Sequence, residues 1–418
     1  MNRISVFAII FTLFIPLGSY AQYASSSKTP KKAGDLIEST SYNDHKRGTP
    51  RMLQYLPSGE EFVCVNGKNR YTRALYGGHT AWRLETGDRP IFATYVKNDC
   101  RNIRFRLHLP DGTVTPLEET DWCEARYNPG TRTYALQDKA WGENCSLKVS
   151  VLASLTEEMA VWELSGELPA GCELEVLNSP IRRKKLSRSG DMGADPPGCF
   201  EPAEDGTVLQ ILKCRFPVDG HLYVGISGNE LKEMRDGGVQ YLALQKACRE
   251  LAERIRITTP DPYFNTLGGA LAVAADGIWG GEGVWLHGAV GWRMPLSGWR
   301  AAYVGDVLGW HDRARTHFDN YAASQVTEVP NTIPHPAQDS ALALARSAKI
   351  WGTPQYSNGY ICRNPRRNNQ MHHYDMNLCY IDELLWHFNW TGDLEYARRM
   401  WPLLTLHLAW EKSKFDPD

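Results

Sequence analysis

A single change of period divides this chain. From residue 52 to about residue 228 the apolar residues fall in short runs of strand character, and beyond that point they recur at the three- and four-residue spacing of helices. The β-rich runs are 62–65, 91–96, 103–109, 146–152, 160–164, 208–212 and 222–224, separated by turn signals such as Asp111-Gly112, Pro129-Gly130 and Asp205-Gly206. Successive short strands without helices between them predict a large antiparallel β-sandwich over 52–228. The stretch 182–198, basic and then rich in Gly, Asp and Pro, reads as a long insertion loop.

Residues 229–258 predict a linker helix with Leu242, Leu244, Ala247, Leu251 and Ile255 on its period. Asp261-Pro262 opens the next helix, since proline is tolerated in a first turn. Its buried stripe is Phe264, Leu267, Leu271, Ala274 and Ile278. One further helix is predicted over about 302–323, and another candidate covers 340–351. The stretch 370–410 then reads as an inner helix, a tight Thr391-Gly392-Asp393 turn and an outer helix of an α-helical barrel. The inner helix, about 372–388, is apolar on nearly every side, which predicts burial. The outer one keeps Leu394, Ala397, Trp401, Leu404 and Leu408 on one side, and Pro402 predicts a kink in it. Gly392 suits a left-handed helix end and Asp393 an N-cap.

A chain of 418 residues is too long for one ordinary core. Its net charge of -2, with acids and bases interspersed, points away from a nucleic-acid partner. The 14 Trp and 19 Tyr fit core packing or the covering of apolar sugar faces. At the N-terminus, Met1-Asn2-Arg3, an apolar run over 4–17 and the small residues Ser19 and Ala21 predict a signal peptide over 1–21, cut after Ala21. The product is then exported, periplasmic or extracellular, with a polar tether over 22–51. No apolar stretch is long enough for a membrane span. The ten cysteines fit disulfides or buried thiols, and without CxxC or CxxH spacing they predict no metal site. No cofactor is implied, and the oligomeric state is left open.

Three segments carry a resemblance: TPDPYFN at 259–265, SGWRAAYVGDVLGWHDRARTHF at 297–318 and YDMNLCYIDELLWHFNWTGD at 374–393. They resemble the six-hairpin glycosidase superfamily, above all its rhamnosidase-like and cellobiose-phosphorylase-like branches, and the chain is similar to an exported family of polysaccharide-degrading bacteria. The resemblance implies a β-sandwich, a linker helix and an (α/α)6 toroid beginning at 259. Because the chain stops at Asp418, before six hairpins are complete, the toroid is expected to be incomplete in this chain, with the catalytic base on the missing helices and an apolar face left exposed. Ala301 stands where the phosphorylases have a substrate-binding aspartate, and Asp375-Met376 where they have an acidic pair. Hydrolysis is therefore expected in place of phosphorolysis.

The long loops 280–300 and 352–369, placed on one face, put the N-termini of the inner helices at the site. Asp375 is the candidate general acid, although the same position suits an N-cap. Trp292, Arg293, Trp299 and Arg300 could stack on and hydrogen-bond a sugar or pack locally, and Asp306, His372 and His373 are further substrate-binding candidates. As helix neighbours His372 and His373 cannot face one metal ion. Asp312 beside Arg313 reads as a surface pair, and Asp382 and Glu383, two turns deeper, as groups with buried partners. The expectation is an exported glycoside hydrolase acting on an oligo- or polysaccharide by carboxylate acid/base catalysis with inversion. The alternative is a non-catalytic carbohydrate-binding relative or an inactive truncated fragment.

Overall fold

Alternation builds the sandwich strand by strand. In Arg101–His108, Ile103, Phe105 and Leu107 are fully buried, while Arg104, Arg106 and His108 remain partly exposed, so one face is committed to the core. The computed structural model describes residues 37–38, 52–53, 55–71, 73–183, 185–187, 189–190, 195, 197–217, 220–290, 293–298, 300–328, 358–367 and 375–415. The predicted signal peptide, most of the tether and the helix candidate at 340–351 lie outside them.

The first strands are β1 (Leu56–Ser58), β2 (Glu61–Val65), β3 (Arg73–Tyr76), β4 (Arg83–Thr86), β5 (Phe92–Tyr95), β6 (Arg101–His108) and β7 (Val114–Pro116). They are followed by β8 (Trp122–Asn128), β9 (Thr131–Gln137), β10 (Ser146–Ala153), β11 (Met159–Glu167), β12 (Glu173–Pro180), β13 (Gln210–Arg215), β14 (His221–Ser227) and β15 (Glu230–Glu233). An 8-stranded antiparallel sheet runs in the order β15-β14-β11-β10-β9-β8-β2-β1. A 7-stranded one runs β13-β12-β6-β5-β4-β3, with β7 paired to β6. Their inner faces share one core, centred on Trp162, whose ring lies 5.3 Å from Phe92 and 5.4 Å from Phe105. Cys100, Cys123, Cys172, Cys199, Cys214 and Cys248 are buried thiols.

The helical region begins with α1 (Gly237–Ala252), which lies on the outer face of the larger sheet through Tyr241 and Cys248 against Leu152, Met159 and Val161. In α2 (Pro262–Gly277) the Asp261 carboxylate accepts the Tyr263 N–H at 2.8 Å, the cap that the Asp-Pro pair predicts. A short ribbon, Trp279–Gly280 with Val284–Trp285, precedes the remaining helices.

The single helix predicted over 302–323 is two: α3 (Tyr303–Val307) and α4 (His311–Ala322). Gly309, at φ 73°, ends the first. Its N–H reaches Asp306 O at 3.0 Å and the Trp310 N–H reaches Gly305 O at 2.6 Å, a paired cap that stops a helix at a left-handed glycine. Last come α5 (Asp375–Thr391) and α6 (Leu394–Phe415). Their turn follows the predicted chemistry, with Gly392 at φ 64° and the Asp393 carboxylate accepting the Tyr396 N–H at 2.9 Å.

The burial expected all round α5 is not found. Leu378, Leu385, Trp386 and Trp390 are exposed, because among the described residues α3, α4 and α6 pack on one flank of the helix. On α6, which continues through Pro402 as one helix, Leu394, Trp401 and Leu408 are exposed too. Among the described residues no helix is long and apolar enough to cross a membrane.

Because Trp162 joins both sheets at the centre of the core, Trp162→Ala should cost about 3–5 kcal/mol of stability. Urea denaturation followed by tryptophan fluorescence and by circular dichroism checks this, and a midpoint unchanged from the parent would refute the central role.

Candidate functional site

Three pieces of the helical region converge: the loop ending at Arg300, the start of α3, and the middle of α5. Gly298 makes the approach possible, since a Cβ there would stand 2.0 Å from Met376 O and 2.3 Å from Tyr380 N of α5. Two residues on, Arg300 is exposed and holds φ 64°, a conformation that a non-glycine residue adopts at some cost. The Tyr303 hydroxyl donates to the exposed Asp382 carboxylate, and its ring stands edge-on to Trp386 with centroids 6.2 Å apart. Burial first, and then the Asp382 carboxylate, push the Tyr303 phenol above its ordinary pKa. Trp386 itself is 46% exposed.

Beside this solvent-facing trio sits Glu383, 1% exposed. Neither of its oxygens completes a hydrogen bond of ordinary geometry. Burial pushes its carboxyl from 4.5 up to about 8; the backbone of Ala302 and Arg300 and the Arg300 guanidinium oppose the rise, and Asp382 adds to it. At neutral pH Glu383 therefore keeps its proton. The sequence reading gives it a buried partner; the group is buried, and the donors that face it are the backbone N–H groups of Ala302 and Arg300, which do not offset the cost of burial. Its signal in the sequence is the second of two adjacent acids, Asp382-Glu383, set amid Tyr380, Ile381, Leu384 and Leu385, a position that predicts desolvation.

The residues singled out from sequence fall in several places. Asp306 is buried, with His387 Nδ1 2.9 Å from each of its oxygens and His311 Nδ1 at 2.8 Å. Both oxygens are thus occupied by neighbours on α4 and α5, which leaves a sugar hydroxyl little to bind. Arg293 turns away from α5 and donates to Gly277 O at 2.6 Å, His79 O at 2.9 Å and Trp279 O at 3.1 Å. It works as a tie between the β3–β4 connection and the end of α2. Asp375 is the first residue of α5, and its side chain lies outside the described residues. Eight residues separate it from Glu383, about 12 Å along the helix axis, more than the roughly 6.5–9.5 Å between carboxyl groups of an inverting pair. Trp292, Trp299, His372 and His373 lie outside the described residues.

A second polar junction lies beside Arg293. Asp276 on α2 accepts from Arg313 at 2.7 Å and stands 3.0 Å from His79 Nε2. Burial opposes its charge, yet His79 and Arg313 together hold the carboxyl below its usual range. Arg313 also lies over the Trp279 and Trp310 rings, at 5.4 and 4.5 Å. Among the described residues no group of three or more His, Cys, Asp or Glu side chains could hold a metal ion.

With this geometry in view, the comparisons add one match. A family model described as "Domain of unknown function (DUF4450)" covers residues 100–208. That span lies within the sandwich, from the start of β6 to the approach to β13, and includes none of the helical cluster. No curated protein matches the chain.

Glu383 predicts a pH dependence. Its folded pKa of about 8 exceeds its ordinary value of 4.5, so its contribution to stability is fully present below about pH 4.5 and is lost as the pH rises through about 8. Glu383→Gln removes that loss. Relative to the parent, the variant should gain on the order of 3 kcal/mol between pH 5 and pH 9, allowing for relaxation of the buried charge. Thermal melts across that range check this, and parallel curves for the two proteins would show that Glu383 is ionised at little cost.

Proposed function

We propose that this chain belongs to an exported glycoside hydrolase of the six-hairpin type and that Glu383, not Asp375, is its general acid. The observation that carries this reading is a carboxyl that keeps its proton at neutral pH, one residue from an exposed carboxylate whose tyrosine partner stands against an exposed tryptophan. Neighbouring acids driven to different protonation states suit acid/base division of labour. In this reading Trp386 covers an apolar sugar face. Asp382, oriented by Tyr303, accepts hydrogen bonds from ring hydroxyls. Glu383 delivers its proton to the leaving glycosidic oxygen as the bond to the anomeric carbon breaks, while a water molecule adds to that carbon and releases its proton to solvent. The helices from α2 to α6 then form part of an (α/α)6 toroid packed beside the sandwich. Export follows from the N-terminal segment, whose removal leaves Gln22 as the first residue.

One observation favours a second reading, a carbohydrate-binding relative without catalysis. Glu383 is sealed from solvent and Asp306 is held by two histidines, so neither carboxyl meets a ligand without rearrangement.

Incubation of the secreted protein with a panel of plant and host polysaccharides and aryl glycosides, read as new reducing ends, separates the two. The hydrolase reading expects release of reducing sugar, a rate that falls as the pH passes about 8, and a loss of about 10²–10⁴-fold in Glu383→Gln. Wild-type rates in Glu383→Gln together with an inactive Asp375→Asn would return the acid's role to Asp375. Binding without release across the panel would support the second reading. N-terminal sequencing of the exported protein should begin at Gln22.

A further inference from the structure

A cavity lies away from the α3–α5 cluster, between the outer face of the eight-stranded sheet and the helices α1 and α2, and measures about 770 Å³. Its floor follows from strand register. Thr133 of β9 faces Ser150 of β10, Ser150 faces Glu163 of β11, and Glu163 faces Tyr223 of β14, so one row of hydroxyl and carboxylate groups crosses four strands on the solvent side. The row is already ordered. Thr133 Oγ1 and Ser150 Oγ lie 2.9 Å apart, Tyr241 of α1 donates to Ser150 at 2.7 Å, and Tyr223 donates to Glu163 at 3.0 Å.

The same face is apolar towards the other end of the strands, at Leu152, Met159 and Val161, where α1 seats. Tyr241 of α1 covers Ser150 in the polar row as well, and the trough runs beside it along Thr131, Thr133, Lys148 and Glu163. Above the floor, the side chains of Lys148, Gln245 and Arg249 line the trough and form no ion pair or hydrogen bond within the chain among the described residues.

We infer that this trough binds a neutral, hydroxyl-rich ligand, an oligosaccharide of several units, at a site separate from Glu383. The volume falls within the roughly 300–1,000 Å³ of small-molecule sites and exceeds what one sugar ring fills. The charge lining it is mixed, with a small excess of acid: Glu60, Glu61, Glu163 and Glu253 against Lys148, Arg249 and Arg256. Glu61 is paired with Arg126, Glu163 with His221 and Glu253 with Arg256. A polyanion would need a one-sided basic field, and a peptide would need an apolar pocket for a side chain. The trough offers no one-sided basic field, and its apolar lining, Pro129, Ala252, Ile255 and Ile257, lies among polar groups that outnumber it. It offers fixed donors and acceptors at the spacing of neighbouring strands, about 4.8 Å, which suits a chain of hydroxyl-bearing rings. The inference stands on the sheet face and not on the hydrolase reading.

Isothermal titration calorimetry on the full chain carrying Glu383→Gln, so that no hydrolysis consumes the ligand, tests it. The probes are neutral tetrasaccharides of cello, malto, xylo and manno type, tripolyphosphate and a neutral tetrapeptide. The expected result is a Kd of about 1 mM or tighter for at least one tetrasaccharide. Lys148→Ala and Arg249→Ala change exposed residues, and each should weaken binding about tenfold, equal to about 1.4 kcal/mol. Asp382→Asn should leave it unchanged. The inference is overturned if no tetrasaccharide binds at about 10 mM, an order above that Kd. It is equally overturned if Lys148→Ala and Arg249→Ala both bind as the parent does, or if tripolyphosphate or the peptide binds more tightly than every sugar. Absence of hydrolysis in the wild-type chain with trough binding intact would sink the catalytic reading alone.

Discussion

The helical region stands where it does because the outer face of the eight-stranded sheet changes character along its strands. Leu152, Met159 and Val161 offer an apolar seat on which Tyr241 and Cys248 of α1 are buried, and the hydrogen bond from Tyr241 to Ser150 marks where the seat ends. A sheet face that is polar throughout would have no reason to bind a helix, and one that is apolar throughout would demand more cover than α1 and α2 give. From this seat the rest is fixed by polar ties. His79, in the β3–β4 connection, meets Asp276 near the end of α2, and its carbonyl takes a hydrogen bond from Arg293. Arg313 binds the same Asp276 and lies over Trp279 and Trp310, which sets α4. The ring of Phe318 on α4 then packs on Tyr380 of α5 at 5.7 Å. The position of Glu383 is thus inherited, contact by contact, from a sheet face on the far side of α1.

Much of this was readable before the fold was seen, and the gaps have physical reasons. Strands such as β6 and β10 announce themselves because their buried side chains are β-branched, aliphatic or aromatic. β4 and β9 do not, because charged side chains are buried on them, on the outer face of β4 and on the inner face of β9. Arg83 and Glu85 are both buried and paired with each other. Arg132, fully buried, donates to Gly87 O at 2.8 Å and to the Tyr55 hydroxyl. A pattern that reserves charge for solvent cannot find such strands. The break at Gly309 was signalled by a glycine inside an otherwise helical period, a signal that the continuous aromatic stripe from Tyr303 to Tyr321 obscured. At the site, loop composition drew attention to Arg293 and helix position to Asp306. Sequence could not show that backbone carbonyls would take the arginine and two histidines the aspartate. The turn at Gly392-Asp393 was legible in full because its requirements are local: a left-handed residue followed by a capping acceptor.

Glu383 differs from every buried charge just named. Arg83 has Glu85, Asp306 has His311 and His387, and Asp276 has His79 and Arg313. Each of these obeys the rule that a polar group taken out of water must meet a partner. Glu383 lies just as deep, its nearest ionisable neighbours are an acid and a single exposed arginine, and burial outweighs the arginine. The way left to lower the energy of such a carboxyl is to retain the proton. A glutamine would fill the same space without a titrating proton, and a leucine would remove the desolvation cost altogether. What neither can do is hold a transferable proton at neutral pH, next to an exposed carboxylate and an exposed indole, and that capacity is what the energetic cost of a glutamate at this position secures.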